Sequence, residues 1–262
     1  MRLSLGFSPC PNDTYIFDAW VNHKIDAGDI HVQTYLEDVQ TLNEWALHEK
    51  LDITKISFGV YPLIKENYVL LDSGSAIGKG VGPLLITTEE KANQINLTDI
   101  PNLRIAIPGE NTTAHFLFNK AFPNSAKKEF MIFHEIEKAV LNGEVDAGVI
   151  IHENRFTYKE KNLHALMDLG KFWEDATGLP IPLGGIVIHK RILSLQEKIN
   201  RLIKESLQYA RKHDATLPDY VKSHAQEMSE TVMRQHINLY VNDYSLSMGE
   251  EGRKAVEEVF NR

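Results

Sequence analysis

The run Val149-Ile150-Ile151-His152-Glu153-Asn154-Arg155-Phe156 is apolar until it stops abruptly at a histidine. Imidazole takes and gives up protons near neutral pH, its ordinary pKa being ~6.5, so a histidine held at the end of a buried strand is a candidate general base. The same place also suits a histidine hydrogen-bonded within a loop. What precedes it reads as half of a βαβ unit: residues 133–143 carry an amphipathic helical pattern that stops at Gly143, and Val145-Asp146-Ala147-Gly148 leads into the strand. Ligands of open α/β sheets lie beyond the carboxyl ends of the strands, which is where His152 falls.

A second group of polar side chains sits in Ser8-Pro9-Cys10-Pro11-Asn12-Asp13-Thr14, between a strand and a helix. Rigid backbone with many donors and acceptors suits ligand contact, making Ser8 and Asn12 candidate contacts, although Asn12 or Asp13 could equally cap the helix. Cys10 could be an exposed thiolate, but thiol chemistry needs a base and a lowered pKa, and a small side chain in a turn is the simpler reading. Further on, Thr54-Lys55-Ile56-Ser57 puts Lys55 and Ser57 on one face of an apolar strand. A lysine there asks for an anionic partner, unless the strand is an exposed edge. Residues 103–107 form a strand ending in Pro108-Gly109, and Asn111-Thr112-Thr113-Ala114 opens a helix whose first N–H groups offer a site for a carboxylate.

Other chemistry is not indicated. Gly74 to Gly78-Lys79 is one residue short of a phosphate-loop spacing, Gly80 stands where a Ser or Thr would hold magnesium, and Gly78, Gly80 and Gly82 are evenly spaced, unlike a dinucleotide loop. The eleven histidines are scattered and none completes a metal-binding pattern. No cofactor and no metal is expected.

The chain has 262 residues, 43% of them hydrophobic and 24% charged, which is the composition of a globular protein with room for one large or two smaller domains. A net charge of −8 argues against nucleic acid and leaves a small molecule as the expected partner. No apolar run approaches the ~20 residues of a membrane span. With Cys10 alone, no intrachain disulfide can form, and a strand directly after Arg2 leaves no space for a signal peptide, so a cytoplasmic protein is expected. The oligomeric state is left open.

These groups must be positioned by alternating elements: strands over 3–8, 31–36 and 53–60, with helices around 14–22 and over 41–49, the latter capped by Thr41 with Glu44 completing a capping box. Gly- and Pro-rich breaks at 74–83 and 177–185 bracket about a hundred residues, which predicts an inserted second lobe. The expected division is 1–83 with 179–262 for the larger lobe and 84–178 for the smaller. From Leu193 onward the pattern is helical, with Ser245 or Ser247 as a cap before a last helix over 250–260.

Taken in order, these fragments resemble one family. Leu5-Gly6-Phe7-Ser8-Pro9-Cys10-Pro11-Asn12-Asp13-Thr14, Leu36-Glu37-Asp38-Val39 with Thr41-Leu42-Asn43, Thr54-Lys55-Ile56-Ser57, Gly80-Val81-Gly82-Pro83-Leu84, Pro108-Gly109 with Thr112-Thr113-Ala114, Ile150-Ile151-His152-Glu153 with Arg155-Phe156-Thr157-Tyr158, and Thr177-Gly178-Leu179-Pro180 look like the 1,4-dihydroxy-6-naphthoate synthases. The resemblance implies an α/β, two-lobed type II periplasmic-binding-protein-like fold with two crossovers and a cleft between the lobes. It implies a lyase of menaquinone biosynthesis by the futalosine route, acting on cyclic dehypoxanthinyl futalosine, a small molecule bearing a carboxylate. It carries the proton acceptor onto His152 and substrate binding onto Lys55, Ile56, Ser57, Thr113 and Ala114. Apart from the resemblance, Ser8, Asn12, Asn43 and Thr112 are expected as further cleft contacts. The rival reading is a non-catalytic binding protein for a small organic acid, since the fold alone suits that role; a cysteine-dependent hydrolase built on Cys10 is a third.

Overall fold

In the computed structural model, which describes residues 1–226 and 229–260, the strands in chain order are β1 (Arg2–Phe7), β2 (His31–Leu36), β3 (Ile53–Ser57), β4 (Tyr68–Leu70), β5 (Ala76–Gly78) and β6 (Leu84–Thr88). They continue with β7 (Ile105–Ile107), β8 (Lys128–Phe130), β9 (Ala147–Ile150), β10 (Leu163–Asp168) and β11 (Ile181–His189). The chain divides into two compact units, one of Met1–Gly78 with Pro182–Arg262, the other of Lys79–Ile181.

The sheet of the first unit runs β2-β1-β3-β11-β4, with β5 also paired to β11. β1 is parallel to both β2 and β3, whereas β11 is antiparallel to β3 and β4. The helix Gln196–Lys212 buries Ile199, Leu202, Ile203, Leu207 and Ala210, a three-and-four spacing that turns one apolar stripe inward. That stripe joins Leu3, Leu5, Ile16, Phe17 and Trp20 in the main core, where the Phe7 and Phe17 rings stack at 4.5 Å.

The second unit has the sheet order β10-β6-β9-β7-β8. β9 is parallel to β7 and antiparallel to β6, and β7 is parallel to β8. Ile136, Ala139 and Val140 of the helix Ile136–Leu141 pack with Ile86, Ala106 and Ile150. Among the described residues, no helix is long and apolar enough to cross a membrane.

Several local expectations are corrected. The first helix begins at Pro11, not near Thr14, because proline suits a first turn whose N–H groups are unpaired anyway. Cys10 therefore holds the cap position, and neither Asn12 nor Asp13 caps. The second helix is Val39–Leu47; its cap is Asp38, whose carboxylate accepts from the N–H groups of Gln40 (2.9 Å) and Thr41 (3.2 Å), so Thr41 lies inside the helix and the expected capping box does not form. β3 stops at Ser57, before a short helix Tyr61–Ile64 with Pro62 in its first turn. The pattern over 133–143 is a tight turn, Phe133–Glu135, followed by Ile136–Leu141. Ser245 lies within the short helix Asp243–Leu246 and Ser247 follows its end, so neither belongs to the last helix, Gly249–Phe260.

Candidate functional site

In the second unit β9 is buried throughout and ends at Ile150. Two residues later the chain turns at His152, whose φ of 57° is left-handed. That conformation costs a non-glycine residue on the order of 1 kcal/mol or more, and persists only where the surroundings impose it. Those surroundings are visible. The helix Asn154–Thr157 begins immediately, and the Phe133 ring meets the His152 ring edge-on at 4.8 Å. One turn on, the Arg155 guanidinium donates to the Gly82 carbonyl and reaches Asp168 Oδ2 at 3.2 Å. Asp168 in turn caps the helix Leu169–Thr177 through Lys171 N at 2.9 Å.

Gly82 allows this assembly because its backbone lies against that of Gly170: a Cβ on Gly82 would sit 2.2 Å from Gly170 Cα. Glu174 Oε1 accepts from Gly80 N at 2.7 Å, fixing the same segment from the next turn of the helix.

Thr112, Thr113 and Ala114 follow β7, the parallel neighbour of β9, so these residues and His152 leave the sheet at the same end. Thr112 caps the helix Thr113–Ala121: its hydroxyl donates to Gly109 O at 2.8 Å and accepts from His115 N at 3.2 Å. Thr113 and Ala114 are buried in the first turn. His115, which the sequence pattern did not single out, is locked on both nitrogens. Asn119 Nδ2 lies 2.9 Å from Nε2 while Lys128 Nζ donates to Asn119 Oδ1 at 2.6 Å, so the amide donates to Nε2 and the imidazole proton is on Nδ1, 2.7 Å from Glu110 O. Burial, helped by the Lys128 ammonium, pushes the His115 pKa below the ordinary value against the opposing pull of the Glu110 carbonyl.

In the first unit Ser8 and Asn12 follow β1, Asn43 follows β2, and Lys55, Ile56 and Ser57 end β3; the parallel pairing of these strands brings their carboxyl ends to one side. Lys55 and Ser57 share a face and are buried. The anionic partner of Lys55 is Asp13, at 2.9 Å from Nζ, and a second N–H goes to Gly74 O at 3.0 Å. An ammonium has three N–H groups, so among the described residues one is not taken up by a protein oxygen. Ser8 and Asn12 both donate to Asp13, Ser8 Oγ at 2.7 Å and Asn12 Nδ2 at 2.9 Å. Asn43 and Ser57 form a second pair, Asn43 Oδ1 accepting from Ser57 N at 2.8 Å and Asn43 Nδ2 donating to Ser57 Oγ at 3.1 Å. Ile56 points the other way, into an apolar cluster with Ala46, Val60 and Tyr68, leaving only its main chain for a ligand. Cys10 is buried, and its carbonyl accepts from Thr14 Oγ1 at 3.0 Å.

Two of the groups that organise these places lie outside the short sequence patterns, Asp168 as the partner of Arg155 and His115, while Asp13, which the pattern offered only as a helix cap, is the counter-charge of Lys55. A buried lysine announced that a carboxylate would be needed, but which one is a tertiary fact.

The chain is 42% identical to the 1,4-dihydroxy-6-naphtoate synthase of Thermus thermophilus over 259 residues, covering 98% of this chain and 92% of that protein. A crystal structure of a protein from Archaeoglobus fulgidus superposes with a TM-score of 0.91 at 29% identity, covering 99% of this chain and 96% of that one. The periplasmic aliphatic sulphonate binding protein of Escherichia coli superposes with a TM-score of 0.69 at 11% identity, covering 99% and 85%, a likeness of fold alone and one that makes the architecture periplasmic-binding-protein-like. The model of a family described as menaquinone biosynthesis matches residues 3–262, and to that family the chain belongs.

Proposed function

We propose that the protein is a carbon–carbon lyase, a 1,4-dihydroxy-6-naphthoate synthase that converts cyclic dehypoxanthinyl futalosine in the menaquinone pathway of the cytoplasm. The observation that carries this is the 42% identity to the Thermus synthase across 98% of the chain. The fold by itself would serve a binding protein equally well, and family membership is what separates the two readings.

In this scheme His152, neutral, takes a proton from a carbon next to a carbonyl, and the electron pair moves onto the carbonyl oxygen. Collapse of that enolate drives elimination and carbon–carbon cleavage with release of the sugar-derived fragment, and aromatisation to the naphthalenediol supplies the driving force. Such a positioned base contributes typically about 10²–10⁴-fold in rate. The edge-on Phe133 and the imposed left-handed turn support the role by restricting where the imidazole can point. Within the second unit the first helical turn at Thr113 and Ala114 offers main-chain donors suited to a carboxylate or a developing enolate oxygen, and within the first unit Ser57 and the third N–H of Lys55 offer donors of the same kind. Ser8, Asn12, Asn43 and Thr112 act behind them, holding the groups that touch substrate.

The test is to incubate the purified protein with cyclic dehypoxanthinyl futalosine and follow 1,4-dihydroxy-6-naphthoate by mass-resolved chromatography. Product from the wild type and none from His152→Ala supports both the reaction and its base. A folded wild type that binds the compound and releases no product overturns the synthase reading in favour of a binder of small organic acids.

A further inference from the structure

We infer that Asp13 is a positioning residue for the reaction, acting through Lys55, and that a buried relay from His236 through Asn12 sets its orientation; the inference rests on Lys55 meeting the substrate, as proposed above. Both oxygens of the Asp13 carboxylate are doubly engaged. Oδ2 accepts from Ser8 Oγ at 2.7 Å and Ser8 N at 3.2 Å, and Oδ1 accepts from Asn12 Nδ2 at 2.9 Å and Lys55 Nζ at 2.9 Å. Because the Asn12 amide nitrogen faces a carboxylate, its Oδ1 faces His236 Nε2 at 2.9 Å, and that nitrogen carries the proton. His236 is fully buried in the helix Glu230–Tyr240.

The consequence is directional. A carboxylate gripped on four sides cannot rotate, so it offers Lys55 a single approach, and the Gly74 carbonyl fixes a second of the three N–H vectors. With two vectors fixed, the third is fixed as well. A lysine in solution samples many rotamers, and ordering it in advance removes that entropic cost from substrate binding. Stability gives little reason to keep such a pair, since a buried ion pair is often no better than well-packed apolar residues. The groups come from places far apart in sequence: His236 meets Asn12, Asn12 and Ser8 hold Asp13, and Asp13 holds the Lys55 ammonium.

A double-mutant cycle tests this. KM and kcat for cyclic dehypoxanthinyl futalosine are measured for wild type, Asp13→Asn, Lys55→Met and the double variant, with circular dichroism confirming the fold of each. The expected result is a KM raised about tenfold or more by Asp13→Asn, a smaller change in kcat, and no further rise when the same change is made in the Lys55→Met background. A merely structural role would shift KM equally in both backgrounds, and that outcome overturns the inference, as does an unchanged KM in folded Asp13→Asn. Should Asp13→Asn not fold, Ser8→Ala removes one donor and leaves the charge in place; it is expected to raise KM several-fold only where Lys55 is present, and equal effects in both backgrounds again overturn the inference. An unchanged KM for Lys55→Met sinks the role of Lys55 and this inference together, while turnover by the wild type leaves the synthase reading standing.

Discussion

Arg155 and Gly82, 73 residues apart in sequence, are joined by a hydrogen bond from the guanidinium to the main-chain carbonyl. The bond ties the short helix that follows His152 to the strand-entry segment of the same unit, and Asp168 holds the guanidinium from its other side. Replacing Arg155 with Met removes both contacts while keeping most of the stem. We expect kcat to fall by about ten- to a hundredfold with a smaller effect on KM, because a base misplaced by about 1 Å can cost that much. Arg155→Lys should recover only part of the loss, since an ammonium cannot reproduce the planar fork. Steady-state kinetics of the two variants check this.

The left-handed turn at His152 allows the base to be separated from the backbone it sits on. Asparagine tolerates that conformation better than other non-glycine residues, so His152→Asn should keep the fold and the melting temperature while losing at least about 10²-fold in kcat. Comparable losses of activity and stability would instead mean that the residue serves the turn.

His115 makes stability depend on pH in a definite direction. Its folded pKa lies below the ordinary 6.5, so between the two values the unfolded chain binds a proton that the native protein does not. Its contribution is present above 6.5 and is lost as pH falls below that value toward the depressed one. Thermal unfolding at pH 7.5 and 5.5 should therefore show a larger drop for wild type than for His115→Gln, which cannot titrate. Equal drops would remove His115 from the account.

Asp38 accepts from two first-turn N–H groups of the helix Val39–Leu47 and also from the Thr41 hydroxyl. Asp38→Ala is expected to cost about 1–2 kcal/mol in denaturant unfolding. Asn43 lies in this helix, so its pairing with Ser57 should loosen and KM should rise modestly.

Much of the scaffold is legible from local pattern. The bounds of β2, His31–Leu36, coincide with those expected from the sequence, and β6 begins directly after the Gly- and Pro-rich break at 74–83, whereas β11 starts at Ile181 and runs through Pro182, Gly184 and Gly185 of the expected second break. Helix starts were harder. At Asp38 and Thr41 two good caps compete, and the winner is the one whose carboxylate reaches two N–H groups at once. At Pro11 the ring's fixed φ outweighs the polar residues after it. The alternation of Lys55 and Ser57 with apolar neighbours marked one face of β3, whereas the engagement of Lys55 by Asp13 depends on β1 and β3 lying side by side, a pairing no local window contains. His115 was missed for a related reason: its partners Glu110, Asn119 and Lys128 are ordinary surface residue types, and only the return of the chain as β8 brings Lys128 back to Asn119.

The order β3-β11-β4 has a bearing on how the protein comes into being. During synthesis β3 and β4 emerge early, yet the strand that lies between them belongs to the last part of the chain, after all of Lys79–Ile181. The continuous second unit can condense on the ribosome while the first waits with β3 unpaired on one edge. Until β11 and the helix Gln196–Lys212 arrive, Lys55 sits on that open edge, so a nascent chain arrested near residue 181 would expose apolar β-structure and need guarding from its neighbours.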